Sequence, residues 1–158
     1  TLAIAEYLAE SFPQLALWPQ GRSERATARS LCAEMHAGFG ALRSIFPMNI
    51  EASLPEVGEK ALREQPGLAR DLERLDAMWS GALETSGGPF LFGTFGIVDA
   101  YYAPVCTRLR TYGVELPGGS QAYVQRMLEL PAQQEWDQAA RAEADFLQVD
   151  EPYRVARG

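Results

Sequence analysis

The sequence predicts an all-α protein, a helical bundle of about seven helices. Three observations carry this. Apolar residues return at steps of three and four, as Leu31, Met35, Phe39, Leu42 and Phe46 in one stretch and Leu68, Leu72, Leu75 and Trp79 in another. That period turns one face of a helix towards a core. Pro47, Pro66 and Pro131 fall between such stretches, where helices stop or start. No two runs alternate apolar and polar residues as a pair of strands requires.

Residues 1–11 read as a first helix with Leu2, Ala5 and Leu8 on one face, ended by Phe12-Pro13. Residues 13–22 form a loop punctuated by Pro13, Pro19 and Gly21. Ser23 is placed to cap one long helix over 24–46, which Pro47 stops. Besides its core stripe, this helix carries small residues at Ala33, Ala37, Gly38, Gly40 and Ala41, which permit close approach of another backbone. It also carries a mixed stripe, Cys32, His36, Phe39 and Arg43, suited to the wall of a cleft. Met48 to Leu54 reads as irregular. Pro55 to Gln65 reads as a solvated helix with Glu56/Lys60 and Glu59/Arg63 at i,i+4. Pro66 opens the next helix, to about Leu83, and Thr85 to Pro89 form a loop.

The stretch from Pro89 to Tyr102 is a loop turning into a buried helix. Asp99 lies three residues after Gly96, the spacing of a capping box, with Gly96 as N-cap and Phe95 and Ala100 placed as a hydrophobic staple. Its carboxylate also faces the positive end of the helix dipole. The helix over 97–112 buries Val98, Tyr101, Tyr102, Val105 and Leu109, and Pro104 inside it predicts a kink. Gly113 ends it. Pro117-Gly118-Gly119 is a turn, and Ser120 is placed to cap a short helix to about Leu130. Pro131 opens another, to about Phe146, with Trp136 on its inner face. Residues 147–158 read as a tail.

A chain of 158 residues, 47% hydrophobic and 22% charged, is long enough to bury one core and has the make-up of a globular domain. A net charge of −7 argues against nucleic acid and against an anionic membrane surface as partners. No apolar run approaches the roughly 18 residues of a membrane span, and no signal peptide is visible, so a cytoplasmic protein is expected. Cys32 and Cys106 lack metal or redox spacing and read as two reduced, packed thiols. With one histidine in the chain, no metal site is expected. The sequence opens without Met on a helix already amphipathic, as a piece of a longer chain does.

No Ser-His-Asp order, phosphate-binding loop or Gly-rich dinucleotide turn is present, so few routes to catalysis remain. His36 is the foremost candidate. Two roles suit it: a histidine satisfied within the bundle, or an imidazole aimed into a pocket, where it can hydrogen-bond a thiolate or a reacting proton. Arg43, further along, suits either a surface ion pair or the bidentate pairing of a ligand carboxylate.

Four segments carry a resemblance. Glu34-Met35-His36-Ala37-Gly38-Phe39 followed by Leu42 resembles the E-L-H-K-G-F-x-x-L stretch on the fourth helix of bacterial, beta-class-like glutathione S-transferases. Phe95 to Ala100 is similar to the start of that family's sixth helix, with Gly96 in place of Ser or Thr. Tyr123-Val124-Gln125-Arg126-Met127, continuing to Leu130-Pro131, is similar to its seventh-to-eighth-helix segment. Thr1-Leu2-Ala3-Ile4 looks like the end of its E/D-S-x-A-I motif. The segments occur in the family's order and span nearly the whole chain.

The resemblance implies the following. Residues 1–12 would be the last helix of a thioredoxin-like domain largely absent from this chain, 13–22 a linker, 23–146 the C-terminal helical domain and 147–158 a tail. The activity would be conjugation of the thiol of glutathione, the co-substrate, to a small hydrophobic electrophile by a homodimer. Thr1 would hold the γ-glutamyl carboxylate and His36 would approach the sulfur, while Ala37 stands where the class often has Lys. Phe39, Arg43, Tyr101 and Tyr102 would serve the second substrate's pocket, and Gly96 and Asp99 would form a structural cap. The thiol-activating residue belongs to the first domain, so the chain by itself is expected to be inactive. A non-catalytic interaction module and a glutathione-dependent isomerase or dehalogenase use the same fold.

Overall fold

The computed structural model describes residues 2–143, 146–148 and 151–153. Among them run eight α-helices: α1 (Leu2–Ser11), α2 (Arg22–Ala37), α3 (Gly40–Ile45), α4 (Pro55–Glu64), α5 (Pro66–Ser86), α6 (Ile97–Thr111), α7 (Gly118–Glu129) and α8 (Pro131–Glu143), with a short 3-10 turn at Pro13–Leu15. Three of them, α4, α5 and α8, begin on a proline, whose missing N–H falls where a helix has no partner for it.

The core lies where α5, α6 and α7 meet. Trp79 is completely buried and meets Tyr102 and Tyr123 edge-on, with ring centroids 5.4 and 4.9 Å apart. Edge-on pairs set the positive rim of one ring against the negative face of the other. Leu68, Leu72 and Leu75 on α5 and Val105 and Leu109 on α6 are buried around this aromatic centre. Each such side chain contributes about 1.5–3 kcal/mol by leaving water. Helix α2 packs on α6, α3 and α4 on α5, and α8 on α7. Helix α1 buries only Ala5 and is tied to α2 by the paired contacts of Glu6 with Arg29, at 2.7 and 2.8 Å.

The long helix expected over 24–46 is broken. Helix α2 closes at Ala37, where Gly38 N–H donates to the Glu34 carbonyl at 2.7 Å, and α3 begins at Gly40. Between them Phe39 takes a left-handed backbone, φ +55°. For a bulky residue this costs about 1–3 kcal/mol. The ring is buried, and Asp71 on α5 accepts the Leu42 N–H at 2.9 Å, capping α3 in place of any local side chain. The core stripe survives the break: Leu31, Met35, Phe39, Leu42 and Phe46 are all buried.

Other differences have equally local causes. The start of α2 is capped at Gly21 rather than Ser23. Ser120 is not a cap but the third residue of α7, buried against Ser80 at 3.2 Å. Helix α5 runs on to Ser86 and ends at Gly87, φ +76°. Trp136 is 51% exposed rather than inward. Its neighbour Asp137 takes the inner position, where Arg110 of α6 pairs with it at 2.9 Å.

The irregular segment from Phe46 to Leu54 is hung on the end of α6. Arg108 donates to the Phe46 carbonyl, Tyr112 to that of Pro47 and Thr111 to that of Asn49, while Leu54 N–H donates to the Thr111 carbonyl. Phe46 also stacks on Tyr112 at 4.2 Å. Helix α4 then crosses so close to α6 that a Cβ on Gly58 would lie 1.9 Å from the Tyr112 carbonyl oxygen.

Candidate functional site

The break in α2 separates the residues of the mixed stripe. Cys32 and Phe39 turn inwards and are buried, while His36 and Arg43 are exposed. Within 3.4 Å the Arg43 guanidinium reaches the His36 carbonyl oxygen, at the end of α2 where carbonyls lack helical partners. The His36 imidazole has no hydrogen bond among the described residues. It stands in the last turn of α2.

Tyr102 is completely buried and donates its hydroxyl to the Leu31 carbonyl at 3.1 Å, which joins α6 to α2. Tyr101, one residue earlier, is half-buried, and its buried hydroxyl has no partner among the described residues. Phe39, Arg43, Tyr101 and Tyr102 therefore do not gather around one cavity: two are core, one closes a helix end and one lies partly open. Thr1 lies outside the described residues.

Gly96 and Asp99 form the start of α6. Asp99 accepts the Gly96 N–H at 2.9 Å, the Leu91 N–H at 3.2 Å and the Tyr123 hydroxyl at 3.0 Å. Burial pushes its carboxyl above the usual carboxylate range, and these three donors pull the other way. Glycine at the N-cap has a reason. A Cβ there would come within 2.9 Å of the Leu17 carbonyl oxygen, which accepts the Ile97 N–H at 3.1 Å. The neighbouring backbone takes over one free helix donor, and no side chain fits beside it. Phe95 meets Phe90 edge-on at 5.7 Å.

Neither thiol is poised to react. Burial pushes the Cys32 thiol up to about 12 and the Cys106 thiol higher still. A thiol at that value holds almost no thiolate at neutral pH. Among the described residues no group of three potential ligands could hold a metal ion, and no helix is long and apolar enough to cross a membrane.

A feature that sequence reasoning missed is a cleft of about 530 Å³ between the N-terminal half of α2 and the C-terminal half of α5. Ser23, Thr27 and Leu31 line it at steps of four, and Met78, Ala82 and Thr85 face them from α5. Both runs have helical spacing, so the signal was present. Apart from Leu31, which belongs to the core stripe, and Met78, these residues are small or hydroxyl-bearing and fall outside the apolar stripes. Along the axis of α2, Thr27 and His36 are roughly 13 Å apart, so this cleft is separate from the His36 end.

The family model of the glutathione S-transferase C-terminal domain matches residues 50–146, more than half of the chain. The matched span includes Gly96, Asp99, Tyr101 and Tyr102, and it begins after His36, Phe39 and Arg43. No curated protein matches the chain. Helices α4 to α8, packed around Trp79 and opened at α6 by Asp99, are the part matched, and the chain belongs to the glutathione S-transferase C-terminal domain family.

Proposed function

We propose that this chain is the helical half of a glutathione transferase that conjugates the thiol of glutathione to a small hydrophobic electrophile. The family membership of residues 50–146 carries the proposal. In this reading α1 belongs with a thioredoxin-like domain, which activates the thiol. The open side of α1 supports that division: Ile4 is 64% and Tyr7 70% exposed, apolar surface of the kind that another domain covers. Residues 13–22 then join the two domains, 23–146 form the helical domain and 147–158 a tail, in a cytoplasmic homodimer.

His36 would act at the glutathione sulfur, donating a hydrogen bond to the thiolate or taking up its proton. Its exposure and free imidazole support this, since a histidine serving the core would be buried and bonded. Thr1 would hold the γ-glutamyl carboxylate. For the electrophile's pocket, Tyr101 is the better placed of the aromatic candidates, because its hydroxyl is unpartnered while Phe39 and Tyr102 are occupied in the core. Arg43 would act through the end of α2 that carries His36.

The test uses the full-length protein with glutathione and chlorodinitrobenzene. Conjugation is expected, and His36→Ala is expected to lower kcat by about tenfold or more, as loss of an acid–base or thiolate contact does, with the melting temperature unchanged. Unchanged kinetics with a lower melting temperature would return His36 to a structural role. Failure both to conjugate and to bind immobilised glutathione would favour a non-catalytic interaction module. Glutathione binding without conjugation would favour an isomerase or dehalogenase.

A further inference from the structure

We propose that Glu6, Arg29 and Trp18 form a clamp that fixes α1 to the helical bundle and so sets the separation of the two elements that hold glutathione, with Arg29 as a positioning residue. The effect on catalysis rests on the transferase reading; the clamp itself does not.

Helix α1 has little else to hold it. It buries only Ala5, and Leu2 and Ala9 are partly covered. Against this, the Arg29 guanidinium reaches from α2 to the Glu6 carboxylate with two parallel hydrogen bonds, Nε to Oε1 at 2.7 Å and Nη2 to Oε2 at 2.8 Å. An ion pair open to water is ordinarily loose and adds little, and these side chains are 44% and 29% exposed. Three features stiffen this one. The two-pronged contact fixes the angle of approach as well as the distance. The ring of Trp18, from the segment joining α1 to α2, is buried, and the guanidinium carbon lies 5.5 Å from its centroid, so the cation also rests on an aromatic face. The Trp18 indole N–H is buried without a hydrogen bond of ordinary geometry, but it acts on the same carboxylate. Arg29 holds the Glu6 carboxyl below the usual range, partial burial opposes it, and the indole N–H adds to the lowering. Two helices and the segment between them therefore meet at one guanidinium.

The place of this contact matters for the transferase. Helix α1 starts directly after Thr1, assigned above to the γ-glutamyl carboxylate. His36, assigned to the sulfur, lies seven residues beyond Arg29, on the same face of α2 and about 10 Å along it. Glutathione would meet both at once. With the clamp closed the two elements are already in place; with it open, glutathione must itself draw them together, and its binding weakens.

The full-length protein is assayed with glutathione and chlorodinitrobenzene, and the distance from α1 to the bundle is measured between nitroxides at Ser11→Cys and Lys60→Cys, on α1 and α4. Glu6→Gln and Arg29→Gln are each expected to raise the KM for glutathione by about fivefold or more, with kcat falling less and the KM for the electrophile unmoved. The double variant is expected to be no worse than either single one, because both remove one contact. The nitroxide distances are expected to be narrowly distributed in wild type and to broaden or shift in each variant. An unmoved KM for glutathione would reduce the contact to a structural one and overturn the proposal. So would effects that add in the double variant, or unchanged distances. If the wild type does not conjugate, the transferase reading alone fails, and the nitroxide distances decide the clamp.

Discussion

Helices α6 and α3 are both capped by an aspartate, and they differ in where it comes from. At α6 the carboxylate of Asp99 reaches back three residues to the Gly96 N–H. At α3 the carboxylate of Asp71 arrives from another helix, 29 residues along the chain, and accepts the Leu42 N–H. The first device is local and is written in the spacing of adjacent residues. The second exists only once α3 has packed on α5. The chemistry is the same, but one cap can help its helix form early and the other rewards a helix already docked.

The comparison is broken most severely at Asp99. Its replacement by alanine is expected to destabilise by about 3 kcal/mol or more, since three donors lose their acceptor and each unmet buried group costs about 1–3 kcal/mol. Capping alone gives only about 0.5–2 kcal/mol; chemical denaturation separates the two figures, and the smaller value would mean that Leu91 and Tyr123 find other partners. Next comes Gly96→Ser. As a residue it is the better cap, yet its Cβ meets the Leu17 carbonyl at 2.9 Å, so a loss of about 1–3 kcal/mol is expected from the forced shift. A gain in thermal stability would show that the loop gives way freely. Asp71→Ala is expected to cost about 1 kcal/mol, the ordinary value of a lost cap, with loss of amide protection confined to α3 in hydrogen exchange.

A finer contrast is in pH. Asp99 has its carboxyl raised by burial, so the stability it confers is fully present below the unfolded value of about 3.9 and is lost as pH rises through the higher folded value. Glu6 and Glu34 behave oppositely. Their hydrogen bonds to Arg29 and Arg74 lower their carboxyls, so what they add is present above about 4.3 and is lost as pH falls through the folded values. Denaturation from pH 3 to 7 is therefore expected to show the advantage of wild type over Asp99→Asn shrinking as pH rises, and its advantage over Glu34→Gln growing.

Where a signal was local, the sequence was readable. The apolar stripes gave the buried faces of α2, α3 and α5, and the prolines gave the starts of α4, α5 and α8. The break at Phe39 was not foreseen, although Gly38 and Gly40 flank it and each weakens a helix by about 1 kcal/mol. Small residues at these positions equally suit close approach of another backbone, so their spacing alone does not mark a break. The outward turn of Trp136 was hidden because the inner place at that turn is taken by Asp137, whose claim depends on Arg110 from α6. Among the site residues, the pairing of Gly96 with Asp99 follows from their separation in sequence. The separate positions of Phe39, Arg43, Tyr101 and Tyr102 follow from the break and from α6 packing on α2, which no spacing encodes. The reason for glycine at 96 is likewise a carbonyl from Leu17, distant in sequence.

That carbonyl has a mechanical consequence. The residues joining α1 to α2 look like a tether, but Leu17 is stitched to the first turn of α6, Trp18 is buried and Arg25 grips the Pro19 and Gln20 carbonyls. A tether so fastened transmits displacement instead of absorbing it. A push on α1 would be felt at the front end of α6, as a pull on a lever is felt at its fulcrum, and lengthening the segment by a residue would shift α1 against the bundle before it loosened anything.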